Sequence, residues 1–317
     1  MNILLPKEIT PAMLMAGTNI PAVDAYVDEV AWASGADCAV GDRRVRGNYV
    51  YECIKKVEGS PANTYAPDTA NGGEFWFKDE TNPTNRWAPF DEYIFTKARA
   101  LGEVKYVIKP GFVNGIAIHG VEADSLTITV TDGDGGSELM PPFSVDMWEQ
   151  AYGLWEYLFG DLRRNTKGNL KGLPIHPNMC ITIIAARTLP TEEAAIAYIS
   201  VGQWQQLLAP DSLTSATVTG AAAELKSYSY YDERSDGTYV RKRGRQANDL
   251  SINCTVKGEE GNRVRDVLSR VLDLPVAMES VPGRRFAWLS TVGFITGRIS
   301  APSNGYVELD IKVKGNV

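Results

Sequence analysis

Residues 306–315 read YVELDIKVKG, and their alternation decides the fold class. Val307, Leu309, Ile311 and Val313 fall on one side of an extended chain; Glu308, Asp310, Lys312 and Lys314 fall on the other. A period of two sets an apolar face against a core and a charged face in water, which predicts a half-buried β-strand. The same texture recurs upstream. VKYVIK (104–109), GIAIHG (115–120), SLTITVT (125–131), MCITIIAA (179–186) and AAIAYISVG (194–202) form one series. LKSYSYYDE (225–233), TYVRKR (238–243), DLSINCTVKG (249–258), FAWLST (286–291) and FITGRIS (294–300) form another. Turn chemistry separates them, as in TDGDGG (131–136) and Ser235-Asp236-Gly237.

Two segments break the period. In 144–164, SVDMWEQAYGLWEYLFGDLRR, the residues Trp148, Ala151, Trp155, Leu158 and Phe159 share a helical face, Asp146 with Glu149 resembles a capping box, and Gly160 marks the end. In 261–274, GNRVRDVLSRVLDL, a stripe of Val264, Val267, Leu268, Val271 and Leu272 predicts a buried helix face, stopped by Pro275. Before these, 32–87 is rich in aromatics, Pro, Gly and Asn, which predicts loops on a small aromatic core. Its centre, 39–53, AVGDRRVRGNYVYEC, reads as a hairpin closed by Gly47-Asn48. The expected fold is therefore mainly β: a small aromatic hairpin module, a β-sandwich with one helix, and a second β-rich domain with one helix. The expected boundaries are an amino-terminal arm over 1–30, ordered mainly against a partner, the module over 31–92, the sandwich over 93–205 and the last domain over 206–317. Trp204 and the QWQQLLAP segment fall at the joint between the two β-rich units.

The chain has 317 residues, 44% hydrophobic and 22% charged, with a formal net charge of -7. That composition is globular, and the acidic balance argues against a nucleic-acid surface, which needs clustered positive charge. No apolar run reaches the ~18 residues of a membrane helix. The start, MNILLPKEITPAMLMAG, carries Lys7 and Glu8 where a secretory signal would be uninterrupted, and reads as mature chain.

Chemistry-bearing motifs are sparse. His119 and His176 lie in different segments without metal-ligand spacing; His119 reads as a strand-end residue and His176 as part of a loop. No nucleophile elbow, P-loop or dinucleotide fingerprint occurs. Asp132 and Asp134 could face calcium, but the flanking glycines favour an ordinary turn. Cys38 and Cys53 flank the hairpin; a disulfide between them is open, free buried thiols being the simpler expectation for a chain made in the cytoplasm. No metal, cofactor or catalytic residue is therefore assigned, and no enzymatic activity is expected. The basic run Arg241, Lys242, Arg243 and Arg245 is the strongest positive patch; on a strand its side chains leave on alternate faces, which suits a charged subunit interface.

Two resemblances add to this reading. Trp32, AVGDRRVRGNYVYEC, Pro61 and the following aromatic cluster resemble the chitin-binding type of carbohydrate-binding module. That likeness implies that Tyr49, Tyr51, Trp76 and Trp87 could stack on sugar faces, although such rings also make the core of so small a domain. Over most of the chain, the order of GDRRV, TNRWAPFDEY (84–93), KPGFVNGIAIHGVEADSLTITV (109–130), WEYLFGDLRRNTKGNLKGLP (155–174) and YSYYDERSDGTYVRKR (228–243) resembles tail-tip and baseplate proteins of tailed bacteriophages. The family form of TNRWAPFDEY has Met where this chain has Pro89. The resemblance implies a structural subunit of the virion tail. Such a subunit would be a homo-oligomer in contact with other tail or baseplate proteins, and would serve assembly and host attachment. The rival expectation is an adhesin that recognises cell-surface glycan through the amino-terminal module; a third, a glycan hydrolase, would need two facing carboxylates.

Overall fold

A computed structural model describes residues 1–57, 65–149, 151, 153–160, 163–207, 217–233, 235–280, 284–303 and 305–316. Pro61 and the end of QWQQLLAP lie outside the described residues. In chain order the elements are β1 (Asn2–Lys7), β2 (Arg43–Arg46), β3 (Tyr49–Cys53), β4 (Trp76–Pro83), β5 (Ala98–Leu101), β6 (Glu103–Ile108), β7 (Gly115–His119), β8 (Ser125–Asp132) and β9 (Phe143–Asp146). Helix α1 (Leu154–Phe159) follows, then β10 (Lys167–Lys171), β11 (Met179–Ala186), β12 (Glu193–Ile196), β13 (Tyr198–Gln206), β14 (Thr217–Ser227), β15 (Tyr230–Glu233), β16 (Tyr239–Lys242) and β17 (Gln246–Lys257). Helix α2 (Gly261–Val271), β18 (Pro275–Glu279), β19 (Ser290–Ser303) and β20 (Tyr306–Gly315) complete the chain. The fold is mainly β, as its alternation predicts.

A nine-stranded sheet in the order β10-β7-β13-β1-β18-β19-β20-β17-β14 is the frame. Along β20, Val307, Leu309, Ile311 and Val313 are buried and the charged residues between them are exposed. Register sets which residues share a face. Val201 opposes Ile116, Ile199 opposes Ile118, and Ile3 opposes Met278, all on one side of the sheet. At one end this side is covered by a four-stranded sheet, β6-β11-β8-β9, around a core that includes Tyr106, Ile116, Leu126, Ile181 and Ile199. At the other end it is covered by α2, whose Val264, Val267, Leu268 and Val271 are buried against β17, β18, β19 and β20. Leu272 belongs to the predicted stripe but is 50% exposed, because the helix stops at Val271 and Asp273 turns with φ +62°. Pro275 opens β18 rather than ending the helix.

The opposite side of the sheet holds a smaller core of Leu4, Ala117, Tyr198, Trp204, Ala277 and Val292. Here β10 reaches across to strands four and five places away in the sheet: Lys171 ion-pairs with Glu279, and Lys167 Nζ donates to Ala287 O (3.0 Å) and Ser290 O. The sheet therefore curls around this core. Trp204 sits in the bend. Its ring lies against Gly115, where a Cβ would come within 2.0 Å of Cδ1, and its Nε1 donates to Leu170 O at 3.2 Å.

The expected amino-terminal arm is not an arm. β1 pairs with β13 on one side and β18 on the other, so Ile3 and Leu4 are wholly buried by the chain's own strands. Residues after it run along the edge of β6: Met15 N donates to Val107 O, and Asn19 exchanges side-chain hydrogen bonds with Glu103 O and Lys105 N. That contact covers an otherwise unpaired strand edge. The sheet is continuous across residue 205, where the sequence places a boundary, while the cores on its two halves stay separate clusters.

Candidate functional site

Three surfaces carry the residues singled out by sequence. The first is the hairpin module. β2, β3 and β4 form a three-stranded sheet, with Arg46 opposite Tyr49 across a Gly47-Asn48 turn in which Gly47 takes φ +62°. Tyr51 and Trp76 do not form an open platform. They are buried with Cys38, Cys53 and Val57 as the core of the module, and Trp76 Nε1 donates to Tyr65 O at 3.1 Å. A unit this small has little apolar volume to bury, so these rings supply the largest side chains of its core. Tyr49 is half-buried, with Lys78 Nζ 3.8 Å from its ring centre. Trp32 and Phe75 carry Arg46 and Lys55 in the same way, at 4.6 and 4.7 Å. A cation therefore lies over one face of each of these three rings. Trp87 packs edge-on to Phe90 against the sandwich core, 5.3 Å between ring centres. The four rings predicted to stack on sugar thus lie in different environments. Both cysteines of this module are free thiols, and burial raises the pKa of each.

Tyr49 and Trp87 do meet the same cleft, of about 690 Å³, between the module, the sandwich and the start of β18. Glu80, Asp91 and Glu92 line it with Lys7. Burial lifts the Asp91 carboxyl to about 6, against hydrogen bonds from Thr96 Oγ1 and Tyr93 N that favour its charged form. No local pattern marks this cleft, because its walls come from segments far apart in the chain.

The second surface is the arm formed by β15 and β16, a two-stranded ribbon whose residues are exposed along both strands. Arg241 and Lys242 lie on β16, Arg243 follows, and Arg245 stacks on Phe95 at the base, 3.2 Å from the ring centre. Arg241 shares a face with Tyr231, 5.6 Å away, and Lys242 leaves on the other face beside Tyr230. The alternation expected of the basic run is therefore present, and the four cations do not converge on one point.

The third surface is α1, where the structure departs most from the sequence expectation. The helix is six residues long, starting after Gly153. Trp148 lies outside it, bridged to Arg164 across a short ladder in which Glu149 N donates to Arg163 O and Asn165 N to Met147 O. Asp146 caps nothing helical; its carboxylate accepts from Trp148 N in a tight turn. The expected buried stripe faces outward instead: Trp155 is 76% exposed and Phe159 69%, with Leu154, Tyr157 and Leu158 also exposed. Glu156, the helix's charged residue, is partly buried and approaches the exposed Arg163 at 3.9 Å.

The histidines stand apart from these surfaces. His119 ends β7 inside the curl, opposite Lys167 and edge-on to Tyr198. Burial, and secondarily the Lys167 charge, lowers its pKa to about 3. His176 Nδ1 lies 3.5 Å from Asp132 Oδ1 without hydrogen-bond geometry. Asp132 sits at a turn closed by Gly133 and Gly135, both at positive φ. Among the described residues no three His, Cys, Asp or Glu side chains are placed to hold a metal, and no helix is long and apolar enough to cross a membrane. No family model, curated protein or solved structure matches the chain.

Proposed function

We propose that this chain is a structural subunit of a bacteriophage tail tip or baseplate, working in many copies in tail assembly and host attachment. One observation carries the assembly part of the reading: α1 is inside out. An amphipathic helix on a free monomer turns its apolar arc to the core and its charge to water. Here Leu154, Trp155, Tyr157, Leu158 and Phe159 are exposed, while Glu156 is the helix residue that is partly buried. Contiguous apolar surface of this kind on a soluble chain marks a place that another molecule covers. The phage assignment rests on the order of motifs along the sequence. The glycan-binding alternative draws no support from Tyr51 and Trp76, which are core residues of the module.

The test is the mass of the purified full chain in solution, with and without Trp155→Glu plus Leu158→Glu. The wild type is expected to form defined oligomers and the double variant to weaken them at least ~100-fold, since charge is placed into an apolar contact. A wild type that stays monomeric at every accessible concentration would remove the reading, and so would a particle map in which α1 touches nothing.

A further inference from the structure

The arm carries four charged side chains that form no salt bridge among the described residues. Within the ribbon Asp232 opposes Val240, Glu233 opposes Tyr239, Arg241 opposes Tyr231 and Lys242 opposes Tyr230. Among the described residues, none of Asp232, Glu233, Arg241 and Lys242 enters a salt bridge. One strand is thus acidic and the other basic, yet each charge faces an uncharged neighbour. Among the described residues both outer edges of the ribbon are also open, since β15 and β16 pair only with each other. The open edge continues into the body, because β15 follows directly on β14, the terminal strand of the nine-stranded sheet. Natural edges are blunted by proline, by charge or by very short strands. No proline interrupts 217–246; β15 and β16 are only four residues each, but β15 continues the edge of the eleven-residue β14, and the charges on the two ribbon strands are of opposite sign.

Resting on the assembly reading above, we propose that β15 of one copy pairs edge to edge with β16 of the next. The strands run antiparallel, in the register that sets Asp232 opposite Lys242 and Glu233 opposite Arg241 of the neighbouring copy. This register is shifted by two residues from the one inside the ribbon. An even shift keeps every side chain on its own face, so Glu233 and Arg241 meet on one side and Asp232 and Lys242 on the other. It also sets Tyr231 opposite the neighbour's Arg243, extending the ring–guanidinium stacking already made by Arg241. The backbone supplies affinity by completing open ladders, and the charges select register and partner. An acidic edge that accepts a basic one is a head-to-tail contact, so each copy keeps one free edge of each sign. Repetition gives a closed ring or an open helical series.

Charge exchange on the full chain tests this. D232K/E233K makes both edges basic, and R241E/K242E makes both acidic. Because these side chains are exposed and unpaired, thermal melts should stay close to wild type. Each double variant alone should associate at least ~100-fold more weakly than wild type in sedimentation velocity. Mixing the two should restore association, and so should the fourfold exchange in one chain. The wild-type contact should weaken as salt rises. If both double variants assemble as tightly as wild type, the edge pairing is wrong and the subunit reading stands. A wild type that never assembles removes both. Failure of the mixture to recover while each variant is folded overturns the stated register.

Discussion

At the scale of single residues, the half-buried Asp91 and the buried His119 pull stability in opposite directions with pH. Asp91 binds a proton below about 6 in the folded chain but only below its ordinary 3.8 when unfolded. The folded state holds the extra proton between those values, so its contribution to stability falls as pH rises from 3.8 to about 6. Asp91→Asn removes this slope. Relative to wild type, the variant should gain melting temperature above pH 6 compared with below pH 4, and a constant offset would refute the assignment. His119 works the other way. Its folded pKa of about 3 lies under the ordinary 6.5, so the unfolded chain takes up the proton first, and stability falls as pH drops from 6.5 toward 3. His119→Phe should make that acid limb shallower; an unchanged limb counts against the burial of a neutral imidazole. Gly115 acts through space rather than charge. A Cβ there would meet Trp204 Cδ1 at 2.0 Å and Leu170 O at 2.7 Å, both held in the sheet. Gly115→Ala should cost about 1–3 kcal/mol in denaturant unfolding, the range for overpacking a tight core.

At the scale of elements, the two helices share an amphipathic pattern and differ in what they bury. Leu268 of α2 is 7% exposed, so Leu268→Ala should destabilise by about 2–4 kcal/mol through lost burial and the cavity left behind. Leu158 of α1 is 55% exposed, and Leu158→Ala should stay within about 0.5 kcal/mol of wild type in the monomer. A large effect at Leu158 in monomeric protein would mean that α1 is packed internally. Periodicity predicts a helix face in both segments, and it can do no more: the period gives the direction of an apolar arc relative to its own axis, with no information on what stands beside it. α2 finds the sheet of β17–β20. α1 is mounted on a short ladder at 147–149 and 163–165 that points it into solvent.

At the scale of the whole molecule, β1 is the joint. It hydrogen-bonds β13, which belongs to the sandwich half, and β18, which belongs to the α2 half, and it places Ile3 in one core and Leu4 in another. Deletion of 1–7 would open two strand edges and empty part of two cores at once. The expected outcome is loss of a single cooperative thermal transition, read by circular dichroism and by calorimetry. A truncated chain that melts in one transition near the wild-type temperature would show that β1 is dispensable. The curl adds a second tie: the Lys171–Glu279 and Lys167–Ser290 contacts join the amino-terminal and carboxy-terminal halves across the inside of the bend.

The sequence by itself determined most of the alternating strands, the buried stripe of α2, the Gly47-Asn48 hairpin and the alternation of the basic run, because each rests on a period or a turn residue within a few positions; FAWLST, read as a strand, is instead a 3-10 helix over Arg284–Leu289, and β19 begins at Ser290. Tertiary structure alone decided the rest. MNILLPK has no alternation of its own, since a central strand covered on both faces needs apolar residues on both, and its partners lie some two hundred residues away. Tyr51 and Trp76 read the same way in sequence whether they face a ligand or a core. α1 shows why such choices escape local patterns: hydrophobicity records that a side chain leaves water, and only the surrounding fold records which molecule takes it in.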